Sequence, residues 1–543
     1  MTIEPSDDAF VTIGRRTFIA SSALAAAGLS LARTFPLSAQ DIRGARPTRV
    51  VATAQGRVRG VILDDNVNAF YGIPYGASTA GEQRFMPPSA AASWNDVRDA
   101  IAVAPRSPQD LEGPIPEVYA LDRRQAMSED CLHVNVWTPG LSEGDRPVMV
   151  WLHGGGFSSG SGDWLLYDGA RLSASQDVVV VTVTHRLNVF GYLYLPELGG
   201  EKYARSSNVG MLDIVLALDW VRKNIGAFGG NADKVTIFGQ SGGGRKVSIL
   251  TGMPAAKGLF HRAIVMSGSQ NTGVAPSDAT AATEKFMASA GAKSVDELQR
   301  MPMEQLRAAA AKASFNLQPV LDGTTLPAHP YDPVATPLSA DVPLIIGTVE
   351  HESTFTRGTP LDAIDDASLR KLVKDETRGT DAQVEQLIDV YRKDRPGVSN
   401  VDLAQILISD FGYRGRANVM ANAKVEQGAA PVYSYLFTWK SPVREGKLKS
   451  FHTLDIPFAF NNIEVAASMT GAGQERYALA DKISTAFATF AREGAPQHNG
   501  LPHWPAYTVE GRATMVFDEE CRVVSDPHRA TRIALEEVRK SAS

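Results

Sequence analysis

The stretch Val235-Thr-Ile-Phe-Gly-Gln-Ser-Gly-Gly-Gly-Arg-Lys-Val247 decides how this 543-residue chain is read. Val235 to Phe238 are apolar or β-branched and read as a buried strand. Gly239-Gln240-Ser241-Gly242-Gly243 then has the G-x-S-x-G spacing of a nucleophile elbow. Such a turn strains the serine backbone, so small residues must flank it, and it lifts the hydroxyl to the top of a sheet. Lys246 to Leu250 can continue as a helix whose N-terminus points at Ser241. The bare motif also arises in Gly-rich turns that carry an incidental serine. What weights the reading is the strand before it and the helix after it.

Working outward, Pro147 to Leu152 and Asp177 to His185 are short apolar runs bounded by Gly, Asn and Asp, as expected of strands buried on both faces of a mostly parallel sheet. Met211 to Asn224 places Leu212, Val215, Leu216, Leu218 and Val221 at helical spacing. The local order is strand, helix, strand, elbow, which predicts an α/β sheet with helices on both faces. Ala263 to Met266, Val342 to Ile346 and Pro431 to Trp439 read as further core strands. Arg49 to Asp64 alternates like a strand, and Phe70 to Tyr75 reads as another. Ser78 to Ala126 is rich in loops and prolines. Thr280 to Ala313, Ser368 to Lys393 and Val401 to Gln427 read as a helical insertion, expected over the carboxyl ends of the sheet where, with the Pro-rich loop before Cys131, it would wall a cleft. Tyr477 to Arg492 and Arg529 to Lys540 are late helices. Without repeats or a low-complexity linker, residues 46–541 read as one domain.

Composition narrows the function. A hydrophobic content of 44% supports a sizeable core, and a net charge of −6 without a long basic run gives nucleic acid nothing to bind. Cys131 and Cys521 are the two cysteines, too few for a disulfide framework or a Cys-rich metal site. His and Cys spacing matches no metal motif. No stretch of the body is apolar over about 18 residues, so a transmembrane span is not expected there. At the N-terminus, Arg15-Arg16-Thr17-Phe18 precedes an Ala-rich apolar run to Leu31, and Leu37-Ser38-Ala39 is a small-residue cleavage site. Residues 1–39 read as a twin-arginine-like export signal, with a Sec signal or an uncleaved anchor as alternatives, and predict a periplasmic or secreted bacterial protein.

An activated serine needs a base, the base needs an orienting acid, and the tetrahedral oxyanion needs backbone donors. With this elbow the chain order is Ser, then Asp or Glu, then His. His452, His498, His503 and His528 follow Ser241 far enough on to leave room for an acid. The oxyanion element is His153-Gly154-Gly155-Gly156-Phe157, directly after the strand ending at Leu152; consecutive glycines let the backbone turn its N–H groups towards a substrate.

At this point the chain resembles the type-B carboxylesterase family of the α/β-hydrolase fold, which includes para-nitrobenzyl esterases and cholinesterases. The shared motifs run through nearly the whole mature chain. They include Gly56-Arg57-Val58-Arg59-Gly60, Tyr71-Gly72-Ile73-Pro74-Tyr75, Ser128-Glu129-Asp130-Cys131-Leu132, Asn188-Val189-Phe190-Gly191 and Phe228-Gly229-Gly230-Asn231. The resemblance implies a Ser-His-Glu triad. In Gly347-Thr348-Val349-Glu350-His351-Glu352 the register gives Glu352 as the acid, with Glu350 a solvated neighbour two residues away. Phe451-His452-Thr453-Leu454-Asp455 gives His452 as the base. The backbone N–H groups of Gly155, Gly156 and Gly242 would form the oxyanion hole. No cofactor is implied. Because the base must be neutral, activity should fall below about pH 6–7.

Several departures bear on structure and substrate. Arg84 and Glu129 match an ion pair of the family that reads as a brace. The cysteine that usually partners Cys131 is replaced within Pro105-Arg106-Ser107-Pro108-Gln109, so Cys131 should be a free thiol. Leu121 stands where cholinesterases carry a cation-binding tryptophan, which argues against choline esters. Gln240 replaces a common glutamate. Arg245 is unusual where a small residue is common, and either pairs with a core carboxylate or faces an acidic substrate. The expected function is hydrolysis of small-molecule carboxylic esters. The alternatives are the same triad acting on an amide, lactone or xenobiotic ester, and a non-catalytic binding module on the same fold.

Overall fold

The computed structural model describes residues 46–110, 115–142, 144–313, 317–354 and 359–542, all within one compact unit. The export-signal reading of residues 1–39 lies outside the described residues. Twelve strands among the described residues form one sheet. Its parallel part runs, in spatial order, Val179–Thr184, Arg146–Leu152, Gly230–Gln240, Arg262–Met266, Leu344–Val349, Val432–Phe437 and Ala513–Phe517. Antiparallel strands close both sides: His133–Thr138 and then Asn68–Pro74 on one, Arg522–Ser525 on the other.

Successive side chains of a strand face opposite sides, so a strand covered on both faces must be apolar throughout. That is what the short runs encode. Val148, Val150, Leu152, Val235, Ile237 and Val265 enter one core, into which the helix Val209–Asn224 buries Ile214, Leu218 and Val221. Met149, Trp151, Phe238, Ile264 and Met266 enter the opposite core, filled by Leu479, Ile483, Phe487 and Phe490 of the helix Glu475–Glu493.

Elsewhere the expected elements are subdivided. The alternating segment Arg49 to Asp64 is three short strands. Val51–Ala52 and Arg57–Arg59 join Val97–Asp99 in a small separate sheet, Val61–Ile62 joins the large one, and Val50 is 42% exposed. Gly56 and Gly60 divide these pieces, so the alternation never belonged to one strand. The loop-rich span contains the helical turn Pro116–Tyr119 besides that third small strand. The helical spans break where local chemistry breaks them: Asp366–Thr377 ends at Arg378 with φ of 54°, and Asp381–Asp394 restarts behind a capping box made by Thr380 and Gln383. Asn400–Ser409 runs through a π-helical turn, Asp410–Arg414, into Gly415–Glu426. Leu369, Val373, Leu387 and Leu403 of this insertion form a satellite core with Leu535 and Val538 of the terminal helix. The strands Ala513–Phe517 and Arg522–Ser525 were not expected from the sequence.

Candidate active site

Every predicted site residue follows the carboxyl end of a parallel strand, where ligands of open α/β sheets bind. Ser241 comes directly after the strand Gly230–Gln240 and caps the helix Gly242–Leu250. Its φ of 56° and ψ of −121° are those of a strained elbow. A hydrogen bond from the Ser241 N–H to the Met266 carbonyl (2.9 Å) holds the strain in place. The flanking glycines are there for contact: a Cβ on Gly243 would run into the Leu152 carbonyl, and one on Gly242 into the Gly156 backbone. The elbow helix thus lies directly against the triple-glycine loop.

Glu352 follows the strand Leu344–Val349 and is fully buried. One oxygen accepts the Val349 N–H (3.0 Å), and the other lies 2.5 Å from Nδ1 of His452. That contact fixes the imidazole with its proton on Nδ1, leaving Nε2 as the acceptor. A backbone bridge between His351 and Phe451 ties the two loops together one residue before each side chain. The Gln240 amide nitrogen sits 3.4 Å from both ring nitrogens, the long limit of a hydrogen bond, so it packs across the ring. Tyr413 of the π-helical turn packs on the same ring, 5.2 Å between centroids.

Ser241 and His452 line one cavity of about 150 Å³ together with Gly154 and Gly155. Its remaining walls include Ile115, Val118, Tyr119, Trp164 and Tyr167. Trp164 stacks on Tyr167 at 5.9 Å and meets Tyr119 edge-on at 5.5 Å. The helical insertion reaches the site through Tyr413 on the His452 ring. Among the described residues the walls come from the loop before Cys131 and from the segment after the glycines, while the insertion braces the acid loop: the Ser409 hydroxyl accepts from the Ser353 N–H (2.9 Å). The aromatic wall was missed. Leu121 is buried outside this cavity, and Trp164 supplies an aromatic face from another loop.

The other candidates go elsewhere. Glu350 is partly exposed: partial burial raises its pKa, and it faces a separate 490 Å³ cavity with His351, Arg395, Lys440 and Arg522. His498 contacts the Lys482 carbonyl and His528 pairs with Asp394; neither lines the cavity that holds Ser241. Arg84 is a brace: it forms a buried pair with both oxygens of Glu129 and donates to the Gln299 carbonyl (2.8 Å). Cys131 is a buried free thiol beside Ser107, its pKa pushed up by burial. Arg245 is partly buried on the elbow helix. Among the described residues no group of three or more His, Cys, Asp or Glu side chains is placed to hold a metal ion. No described helix is long and apolar enough to cross a membrane.

The Carboxylesterase family profile matches residues 47–535. A para-nitrobenzyl esterase of Bacillus subtilis (strain 168) is 36% identical over 501 residues, covering 89% of this chain and 98% of that protein. A phenmedipham hydrolase of Pseudarthrobacter oxydans is 29% identical, covering 90% and 99%. Among solved structures, the carboxylesterase EST55 of Geobacillus stearothermophilus superposes with a TM-score of 0.78 at 36% identity, covering 90% of this chain and all of that one.

Proposed function

The chain belongs to the carboxylesterase family, and from that premise we propose that it hydrolyses carboxylic esters through an acyl-enzyme on Ser241, with His452 as base and Glu352 as its orienting acid. Nε2 of His452 takes the hydroxyl proton as Oγ of Ser241 attacks the ester carbonyl carbon. The oxyanion receives the N–H groups of Gly155, Gly156 and Gly242. When the tetrahedral adduct collapses, the proton passes from His452 to the departing alcohol. Water then repeats the sequence and releases the carboxylic acid. The support for this reading is the 2.5 Å contact between Glu352 and His452, in a ring that shares one small cavity with Ser241 and the glycine loop.

The decisive test is Ser241→Ala. Its turnover should fall on the order of 10⁶-fold, judging from other triads, and a fluorophosphonate probe should label the parent on Ser241 and the variant not at all. Unlabelled parent protein would instead favour a binding module without catalysis. The aromatic wall and small volume favour short acyl chains and aryl alcohols, so para-nitrophenyl acetate and butyrate should outrun the laurate. A second substrate class, xenobiotic esters, is favoured by the likeness to a phenmedipham hydrolase along 90% of this chain. On the strength of the arginine pair and the apolar run before Ala39, the proposal includes export from the cytoplasm. Fractionation of cells expressing the full chain should recover activity in the periplasm or medium, and activity confined to the cytoplasm would refute it.

A further inference from the structure

Lys246 is a fully buried lysine on the elbow helix, five residues after the nucleophile. Among the described residues no carboxylate pairs with it. Its amino group donates to the His153 carbonyl (2.9 Å) and lies 5.9 Å from the centre of the Phe157 ring. Both residues belong to the triple-glycine loop. Burying an ammonium without a counter-charge is costly, and a methionine of similar length would fill the space without that cost. Burial, and then the charge of Arg245, lower the Lys246 pKa to about 7, but either protonation state keeps N–H groups to donate.

The peptide planes show what the contact controls. In a trans peptide the C=O and the following N–H point in opposite directions, so holding one aims the other. The Lys246 amino group holds the His153 carbonyl. Nδ1 of His153 then donates to the Gly154 carbonyl (2.9 Å), which turns the Gly155 N–H the other way. The Gly155 carbonyl accepts from the N–H groups of Ser158 (3.2 Å) and Ser159 (3.0 Å), which in turn directs the Gly156 N–H away from them. Burial holds the His153 imidazole well below its ordinary pKa, so it stays neutral with a proton on Nδ1. The third donor, Gly242, is at the N-terminus of the helix that carries Lys246.

We infer that Lys246 is a positioning residue for the oxyanion hole: through the His153 carbonyl it ties the elbow helix, which carries the Gly242 donor, to the residue whose imidazole holds the Gly154 carbonyl and so aims the Gly155 N–H. The inference rests on the serine-esterase reading above and names a side chain that acts through the backbone without touching substrate. Removing it should weaken binding of the tetrahedral state and leave ground-state binding nearly intact.

The test compares Lys246→Met with the parent on para-nitrophenyl butyrate and on a trifluoromethyl ketone, which forms a tetrahedral adduct with the serine. Expected are a kcat lower by about 10–100-fold, KM within about 3-fold, and a ketone affinity that falls in step with kcat/KM. Lys246→Arg, which keeps N–H donors at the end of a long side chain, should recover most of both losses. Unchanged kcat and ketone affinity, or a kcat loss with ketone affinity retained, would overturn the inference. If Lys246→Met does not fold, Lys246→Leu against Lys246→Arg carries the comparison, and equal ketone affinities in the two overturn it. Ser241→Ala separates the two levels. A fully active Ser241→Ala refutes the serine mechanism itself, whereas an inactive Ser241→Ala beside an unaffected Lys246→Met refutes only the role of the lysine.

Discussion

Two glutamates two residues apart have opposite environments. Glu352 is buried against Nδ1 of His452, while Glu350 turns towards Arg395 and His351 in a different cavity. Glu352→Gln should lower kcat by about 10³–10⁴-fold, because the amide cannot stabilise the imidazolium and favours the wrong tautomer. Glu350→Gln should leave kcat within about 3-fold in the same steady-state assay. Gly155 has φ of 85°, and a Cβ there would strike the Ser159 backbone. Gly155→Ala should therefore displace an oxyanion donor and lower kcat by about 10²–10³-fold with the fold retained. Gly155 was legible in the sequence because consecutive glycines carry a backbone requirement of their own, while Glu352 was assigned from the register of a family resemblance. Trp164 was not legible as a pocket wall, since nothing local to Asp163-Trp164 states which cavity the ring will face.

Braces between elements set what the loops can do. Arg84, in the loop after Asn68–Pro74, reaches Glu129 and also the carbonyls of Leu298 and Gln299 near the end of the helix Val295–Arg300. One guanidinium thereby holds that helix against the loop before Cys131. Arg84→Met would leave Glu129 buried without its counter-charge and should cost about 3–5 kcal/mol in urea-induced unfolding. The same variant, where folded, should keep its kcat, which separates a brace from a catalytic pair. The insertion acts in a similar way on the acid loop. The Ser353 hydroxyl donates to the Gln405 carbonyl (2.7 Å), and Tyr413 packs on the His452 ring. Helix periodicity made these helices visible beforehand. Their docking was not visible, because an amphipathic face specifies burial without naming its partner.

Across the molecule, charge buried behind the site links stability to pH. Asp455 is fully enclosed, accepts from the Tyr435 hydroxyl (2.7 Å), and has its pKa raised to about 7, chiefly by burial and further by the charge of Glu352. An unfolded aspartate titrates near 3.9. Between about pH 4 and pH 7 the folded protein holds a proton that the unfolded chain has lost, so this group's stabilisation is complete at acid pH and disappears as pH rises through 7. Asp455→Asn should gain stability relative to the parent across that window and hold a constant difference above it, as read by urea unfolding at a series of pH values. Thiol titration checks packing on the same scale: Cys131 should stay silent in the native protein, and two thiols should react after denaturation without reductant. The sequence by itself determined the parallel sheet, the elbow and the glycine loop, because strand burial, backbone strain and motif spacing are local properties written in consecutive residues, whereas Glu352 and His452 were assigned through a family resemblance. Only the tertiary structure decided that Trp164 and Tyr167 complete the cavity wall, that Glu350 faces a separate cavity, and that Lys246 meets the His153 carbonyl. Those are contacts between segments far apart in the chain, where the energy depends on packing geometry that no local pattern carries.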